Sequence, residues 1–174
     1  MAKTILHNYS VQEKLNKMDV DLIDVDLTTT SATHADGDVI AQQIEIPNAV
    51  SVKGGCAIIQ SIYLQNTDNS VESPALEIIF ASANTALTSD ISDAIEITDA
   101  NLIIATVLGS ATVSNWSTLL PSDNEFAIKS NVGLVVRAAS DSTSIYMHVI
   151  NRSGGNYTPG GTDKLTGRIG IVKD

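Results

Sequence analysis

The chain has 174 residues, of which 43% are hydrophobic and 17% are charged, and its formal net charge is -10. This length fits one domain, and the hydrophobic content is too high for a disordered segment. No apolar run approaches the roughly 18 residues of a membrane span, and the first residues do not resemble a signal peptide. We therefore expect a globular protein that is made in a cytoplasm and has no membrane partner.

The charge distribution argues against a nucleic-acid partner. Twenty acidic residues outnumber ten basic ones, and the nearest approach to a basic cluster is Lys3, Lys14 and Lys17, which several aspartates follow. Proteins that bind nucleic acid use clustered Lys and Arg to displace counterions from phosphate. Cys56 is the single cysteine, which excludes an intrachain disulfide and a multi-cysteine zinc site.

Residues 1–18 are predicted to form a separate N-terminal arm. The sequence from Ser10 to Glu13 is a capping box, and Val11, Leu15 and Met18 follow with the spacing of one helical face. We expect a short helix over about residues 10–18, which is too short to be stable alone. It therefore packs either on its own domain or on a neighbouring subunit.

The first predicted strand of the main domain covers residues 20–27. Val20 and Leu22 share one face, whereas Ile23, Val25 and Leu27 share the other, so we expect a bulge between these two groups. The second long candidate, residues 56–66, alternates without a break and places Ile62 and Leu64 on the face of Cys56.

The rest of the chain predicts short strands separated by polar turns. Within residues 84–101, acidic residues recur at every third position from Asp90 to Asp99, which favours one or two helical turns. The remaining strand candidates are residues 39–46, 50–53, 75–82, 103–108, 112–117, 125–130, 132–139, 143–150 and 165–172. This pattern predicts an all-β fold, an antiparallel β-sandwich resembling a jelly roll, over residues 19–174, with the short helical extension before it.

The sequence carries no catalytic motif. His7, His34 and His148 are scattered, and no nucleophile stands beside a readable base. We therefore expect no enzyme activity and no cofactor, and we expect Cys56 to be a buried core residue. Trp116 and Tyr157 are candidates for a sugar-stacking platform, although packing under a loop is more common for a single tryptophan.

Metal binding is the nearest alternative chemistry. The aspartates at positions 19, 21, 24 and 26 offer oxygen ligands, but their spacing does not fit a calcium-binding helical loop, which needs Gly at its sixth position. The same test fails from Asp36. The aspartates are therefore interpreted as a solvated strand face, and no metal site is predicted.

Four segments resemble structural proteins of tailed bacteriophages, many of them marine. They are GDVIAQQIEIPNAVSVKGGCAIIQSIYLQNTD (37–68), LEIIFA (76–81), SNVGLVVRAA (130–139) and RIGIVKD (168–174). The resemblance implies a virion component of the capsid decoration, or cement, kind, on the outer capsid surface. Its implied partner is the major capsid protein. The alternative is a receptor-binding or glycan-binding jelly-roll module of a head fibre or tail.

Two expectations follow for assembly. Icosahedral shells offer three-fold points where a small subunit bridges its neighbours, so a homotrimer is expected. The N-terminal arm is the expected attachment device, because it combines apolar anchors with positive charge in an acidic chain. Its candidate contact residues are Lys3, Ile5, Leu6, Val11, Lys14, Leu15, Lys17 and Met18.

Overall fold

The computed structural model describes residues 19–27, 29–67, 72–96, 106–119, 124–160 and 165–173. The predicted arm and its helix over about residues 10–18 lie outside these ranges. Nine strands are found among the described residues, and none of those residues is helical. The strands are β1 (Asp19–Asp26), β2 (Val39–Ile46), β3 (Cys56–Asn66), β4 (Leu76–Ala81), β5 (Val107–Val113), β6 (Trp116–Leu119), β7 (Asn124–Arg137), β8 (Ile145–Asn151) and β9 (Leu165–Lys173).

The strands form two antiparallel sheets. The five-stranded sheet has the order β1-β9-β3-β7-β6, and the four-stranded sheet has the order β2-β8-β4-β5. Most connections cross from one sheet to the other, whereas β4 and β5, and β6 and β7, pair directly within their own sheets. The predicted all-β fold with antiparallel sheets is therefore confirmed.

One core cluster contains residues from the inner faces of both sheets. Ile59, Leu64 and Ile169 of the five-stranded sheet belong to the same cluster as Ile78 and Phe80 of the four-stranded sheet. Aliphatic β-branched side chains dominate this cluster, as the scarcity of aromatic residues requires. Burial of these apolar side chains is the main favourable term for the fold.

Strand β1 contains no bulge, so the predicted phase slip is wrong. Its eight residues pair with β9 in unbroken register. Ile23 and Val25 are buried, whereas Val20 and Leu22 are 75% and 58% exposed. The sequence suggested a slip because apolar residues occupy both faces of the strand. The structure instead keeps the alternation and leaves two aliphatic side chains on the outside.

Strand β3 does contain a bulge, at Gln60. Its buried positions change from Ala57 and Ile59 to Ile62 and Leu64, so the predicted unbroken alternation is wrong. The register against both neighbouring strands shifts between Ile59 and Ser61. A single extra residue reverses the inward and outward positions that follow it, which brings both apolar halves of β3 into the core.

Strand β7 joins two segments that the sequence separated. Residues 124–137 form one strand, and three of its residues lie opposite Gln60 alone. Asn131 and Gly133 in this bulge have φ angles of 55° and 66°. Such angles favour Gly and Asn, which explains why this part of the sequence resembles a turn.

Three other predicted elements differ from the structure. Residues 50–53 form bends and a turn, which the hydrogen bond from Gly55 N to Val52 O closes at 2.9 Å. The bounds of the candidates at 103–108 and 112–117 are wrong. Within the described residues this part of the chain forms β5 and β6, and residues 114–115 separate the two strands. The other strand predictions agree with β2, β4, β8 and β9 within one or two residues.

The described part of the predicted helical turns, residues 84–96, is irregular. Several of its backbone groups bond to β2, and the bond from Glu96 N to Leu87 O at 3.1 Å does not have the spacing of a helix. Val39 donates to Asp93 O at 3.0 Å and accepts from Ser92 N at 3.0 Å, and the Gln42 side chain accepts from Leu87 N at 2.9 Å. Leu87 is buried as a result. These tertiary contacts override the helical periodicity, and the helix prediction is wrong here.

Candidate functional site

The arm residues that the sequence singled out, Lys3 to Met18, lie outside the described residues. The surface of the two sheets is therefore where the described chain can present a site. Two adjoining features stand out on the outer face of the five-stranded sheet. One is a line of aliphatic side chains, and the other is a polar depression.

Four aliphatic residues form a continuous line across four strands, which we call the outer apolar row. Val20 of β1 pairs with Val172 of β9, Val172 pairs with Ile58 of β3, and Ile58 pairs with Val135 of β7. Val135 is 63% exposed and Ile58 is 37% exposed, while Val172 is half-buried. Leu22 extends the row by one position on β1.

The contiguity of these apolar side chains is typical of an interaction surface. Directly opposed residues on one sheet face stand about 5 Å apart, so these side chains contact one another in sequence across the sheet. Isolated exposed aliphatic residues need no explanation, but a contiguous group on an otherwise polar surface marks a contact site. The alternation of each strand forces this arrangement, because the neighbouring positions Ala57, Ile171 and Val136 fill the core.

Cys56 lies on the same outer face, beside the row. It is exposed, which corrects the prediction of a buried core residue. It occupies the position two residues before Ile58 on β3, opposite Arg137 of β7. The inward positions of this strand begin at Ala57, so the alternation places Cys56 outside. The Cys56 thiol is therefore a natural reactive group for crosslinking or labelling beside the outer apolar row.

The polar depression occupies the other end of the same face. It is open and shallow, with a volume of about 500 Å³, and its floor runs over Thr166 and Gly167 of β9. The side chains of Asp24, Asp26, Tyr63, Gln65, Thr166 and Arg168 line it. All of these residues occupy outward positions of β1, β9 and β3.

Arg168 is the organising residue of the depression. Its Nε donates to Asp24 Oδ1 at 2.7 Å, and its guanidinium carbon lies 5.8 Å from the centroid of the Tyr63 ring. The Tyr63 hydroxyl donates to Gln65 Oε1 at 3.3 Å, and the Tyr63 ring stacks on Phe126 at 6.3 Å. The arrangement offers carboxylate, amide and hydroxyl groups to a polar ligand, and it contains no nucleophile held beside a base.

Trp116 and Tyr157, the candidates for a sugar-stacking platform, do not form an exposed pair. Tyr157 is 2% exposed, and Trp116 is half-buried with its indole nitrogen donating to Pro74 O at 2.5 Å. Both rings are held by packing and backbone contacts, which agrees with the structural role that the sequence favoured for the tryptophan. Tyr63, which lines the depression, and Phe126, which stacks on it, were not identified from the sequence.

Asn151 fixes the segment that follows β8 against the loop before β2. Its Nδ2 donates to His34 O at 2.9 Å, to Ala35 O at 3.1 Å and to Gly155 O at 2.8 Å. His34 and Tyr157 exchange backbone hydrogen bonds of 2.8 and 2.9 Å. The loop that follows β8 is therefore anchored, in its described part, by a buried amide.

The two described histidines are buried and serve as packing residues. His148 Nδ1 accepts a hydrogen bond from Gln43 N at 3.2 Å, and burial lowers the pKa of His148 to about 4. Burial also lowers the pKa of His34, against smaller opposing effects of the Val39 backbone and the Asp38 carboxylate. Both imidazoles are neutral at pH 7 and lie away from the outer face.

Within the described ranges, no group of three or more His, Cys, Asp or Glu side chains is placed to hold a metal ion. The residues that the structure describes also contain no helix long and apolar enough to cross a membrane.

No protein-family model and no curated protein matches this chain. Two solved virus structures are similar to it. One, of a semi-empty virus-like particle of the giant freshwater prawn Macrobrachium rosenbergii nodavirus, is 13% identical with a TM-score of 0.34 and covers 89% of this chain and 92% of its own. The other, of Desmodium yellow mottle tymovirus, is 9% identical with a TM-score of 0.31 and covers 89% of this chain and 85% of its own.

Proposed function

We propose that this protein is a virion structural protein, a decoration (cement) protein on the outer surface of a tailed-bacteriophage head. In this role it stabilises the shell through contacts with the major capsid protein and with copies of itself. The sequence resemblance supports the proposal, and its longest segment, residues 37–68, runs through β2 and β3. The proposed role is a binding role without chemical catalysis.

The order of the strands supports a jelly roll. Leaving out β6 at the sheet edge, the two sheets have the orders β1-β9-β3-β7 and β2-β8-β4-β5. Eight strands in two sheets with this crossing pattern form the double Greek key of jelly-roll domains, which occur in viral capsids and in lectins. The fold is therefore compatible with the decoration role and with glycan binding, and the surface decides between them.

The outer apolar row is the observation that carries the decoration proposal. A decoration protein needs a solvent-facing surface that gains free energy when a shell subunit or another copy of itself covers it. Four aligned aliphatic side chains on a rigid sheet face meet that need. The surrounding acidic surface keeps the free protein soluble before assembly.

The N-terminal arm belongs to the same proposal. We assign it the attachment to the capsid and the contact with a neighbouring subunit of a homotrimer. The proposed contact residues are Lys3, Ile5, Leu6, Val11, Lys14, Leu15, Lys17 and Met18. Ordering such a segment costs about 1–2 kcal/mol per fixed residue, so several apolar anchors are needed to offset the loss. The apolar members of this set supply them.

Binding to bare heads tests the proposed function. Purified protein is mixed with phage heads that lack it, and the bound fraction is measured by co-sedimentation, with cryo-microscopy to locate the added density. We expect saturable binding and new density on the outer surface. A protein that stays in the supernatant at micromolar concentration, or whose density lies on a tail or fibre, contradicts the proposal.

A truncated protein lacking residues 1–18 tests the role of the arm in the same assay. We expect a folded protein that no longer binds heads. A truncated protein that folds and binds with full affinity shows that the arm is not the attachment device, and the decoration role then falls to the sheet surface alone.

The second candidate function is receptor or glycan binding, which the polar depression favours. Arg168, Tyr63 and Asp24 present the charged, aromatic and carboxylate groups that saccharide sites use. Titration with saccharides of the host envelope, followed by calorimetry, tests this alternative. Arg168→Ala abolishes binding if the depression is the site, whereas Arg137→Ala beside the outer apolar row is the matched control that leaves it unchanged.

A further inference from the structure

The outer apolar row has the dimensions of a narrow segment rather than of a globular partner. It crosses four strands, which places its ends about 14 Å apart at the usual strand spacing. Along most strands the row is only one residue wide. On β3, for example, the next outward residue after Ile58 is the polar Gln60. Stable interfaces between globular proteins bury about 800 Å² on each side, which is larger than this row.

We propose that the outer apolar row is the docking surface for residues 10–18 of a second copy of this chain. The inference rests on the proposed function in that the arm contacts a neighbouring subunit, and it names the surface that receives the arm. Val11, Leu15 and Met18 form one face of the helix that the sequence predicts, and they span about 10 Å at 1.5 Å per residue. This span is slightly shorter than the row, so the stripe fits within it.

Charge on the two partners is complementary. Lys14 and Lys17 flank the apolar stripe of the arm. Beyond Leu22 on the outer face of β1 lie Asp24 and Asp26, both exposed, and the Asp24 side chain is 81% exposed. An arm whose stripe covers the row brings its lysines toward these carboxylates, which favours one orientation of the docked segment.

The connection at residue 19 favours a second copy over the same copy. Asp19 is already a strand residue, paired with Lys173, and the predicted helix extends to about residue 18. A helix that covers a sheet has its axis about one helix diameter, roughly 10 Å, above that sheet. Connections between such elements usually need two to six residues, and none remains here. The arm of a neighbouring copy does not need this linker, because it is connected to the β1 strand of its own copy and not to the sheet that it covers.

The exchange also fits a closed assembly. When each copy gives one arm and receives one, a head-to-tail contact is repeated around a symmetry axis, and a trimer closes with every row covered. The contact needs no additional partner. It is therefore measurable in the purified protein without a capsid.

Native Cys56 provides the test, because it lies two positions from Ile58 on the same face, about 7 Å along the strand. The full-length variant Leu15→Cys carries a second thiol in the centre of the arm stripe. Under mild oxidation we expect a disulfide between this thiol and Cys56 of another copy, seen as covalent oligomers on a non-reducing gel. Mass spectrometry of the linked peptides identifies the bond.

Two controls accompany this variant. Leu15→Cys in a Cys56→Ser background removes the acceptor thiol and abolishes the link. Asn16→Cys places its thiol on the opposite side of the predicted helix, so its yield is expected to be at least fivefold lower. An intrachain disulfide, equal yields from both positions, or no link at all overturns the proposal, and so do Cys56–Cys56 dimers of the unmodified protein.

A second variant tests the row without a cysteine. Val135→Asp places a charge at an exposed position of the row, so folding is not at risk. We expect the apparent dissociation constant of the oligomer to rise at least tenfold in sedimentation velocity. Ile128→Asp, an exposed position of β7 outside the row, is the matched control and leaves the oligomer unchanged. Equal behaviour of the two variants overturns the proposal, and failure to bind heads does not affect this readout.

Discussion

The ammonium nitrogen of Lys173 lies 3.0 Å from a carboxylate oxygen of Asp21, and this contact joins β9 to β1. The same nitrogen donates to Asn48 O at 2.9 Å, on the segment that follows β2 of the other sheet. The Lys173 side chain is only 8% exposed, whereas Asp21 is half-buried. A single buried amine therefore holds three parts of the chain together.

Replacing this amine should weaken the fold. Lys173→Met removes both hydrogen bonds and leaves Asn48 O and the Asp21 carboxylate without their donor, so we expect a loss of about 1–3 kcal/mol in the free energy of unfolding. Urea denaturation measures the loss. Arg168→Gln removes an exposed ion pair and serves as the control, with an expected change below about 1 kcal/mol. Equal stability of Lys173→Met and the wild type contradicts the assignment.

Stability should fall as the pH is lowered from 7 to 5. The pKa of His148 is about 4 in the folded protein and about 6.5 when unfolded, so the unfolded state binds more protons between these values. At 1.36 kcal/mol per pKa unit, the folded state loses about 2 kcal/mol by pH 5 from this group. The lowered pKa of His34 acts in the same direction.

The variant His148→Gln isolates this effect. It retains an acceptor near Gln43 N but no longer titrates, so its unfolding free energy should depend less on pH between 7 and 5. Denaturation curves at three pH values provide the measurement. An unchanged slope in this variant would show that other groups cause the pH dependence.

Gly55→Ala should destabilise the turn that precedes β3. A β-carbon at position 55 would lie 2.8 Å from the carbonyl oxygen of Val52, a backbone atom that cannot move without breaking the turn. We expect a cost of about 1–3 kcal/mol. Gly155→Ala is the matched control, because nothing lies within 4 Å of its β-carbon. A thermal scan in which both variants melt at the wild-type temperature would refute the expected crowding.

Asn151→Asp should loosen the loop that Asn151 anchors. The substitution replaces the amide donor by a carboxylate oxygen facing the carbonyls of His34, Ala35 and Gly155, so each contact changes from a hydrogen bond to repulsion. We expect destabilisation of at least about 3 kcal/mol and faster proteolysis after Arg152. Asn115→Asp, at an exposed position, should have neither effect. Unchanged protection of the loop would contradict the role of this amide.

The sequence predicted most strands but not their faces. Strands β2, β4, β8 and β9 have clear alternation or β-branched residues between polar turns, and they were found within one or two residues. A bulge was predicted in β1, which has none, and missed in β3, which has one, because apolar residues on both faces of a strand conceal its phase. Burial against the partner sheet decides the phase, and that information is not local.

The candidate site depends even more on register. Val20, Ile58, Val135 and Val172 are far apart in the sequence and become neighbours only through three strand pairings. Each of them looks like an ordinary core residue when considered alone. One signal was available, since Val20 and Leu22 share a face that β1 does not need for the core. Interpreting that face as a bulge concealed the exposed row.

The central position of β9 has a consequence for synthesis. Strand β1 pairs only with β9 in the five-stranded sheet, and β9 also separates β1 from β3. At about 5–20 residues per second, a ribosome needs on the order of ten seconds between these two strands. Until then β1 is an unpaired strand, and the row that Val172 completes does not exist. In the proposed exchange, a copy is therefore able to accept an arm only after its synthesis has passed β9.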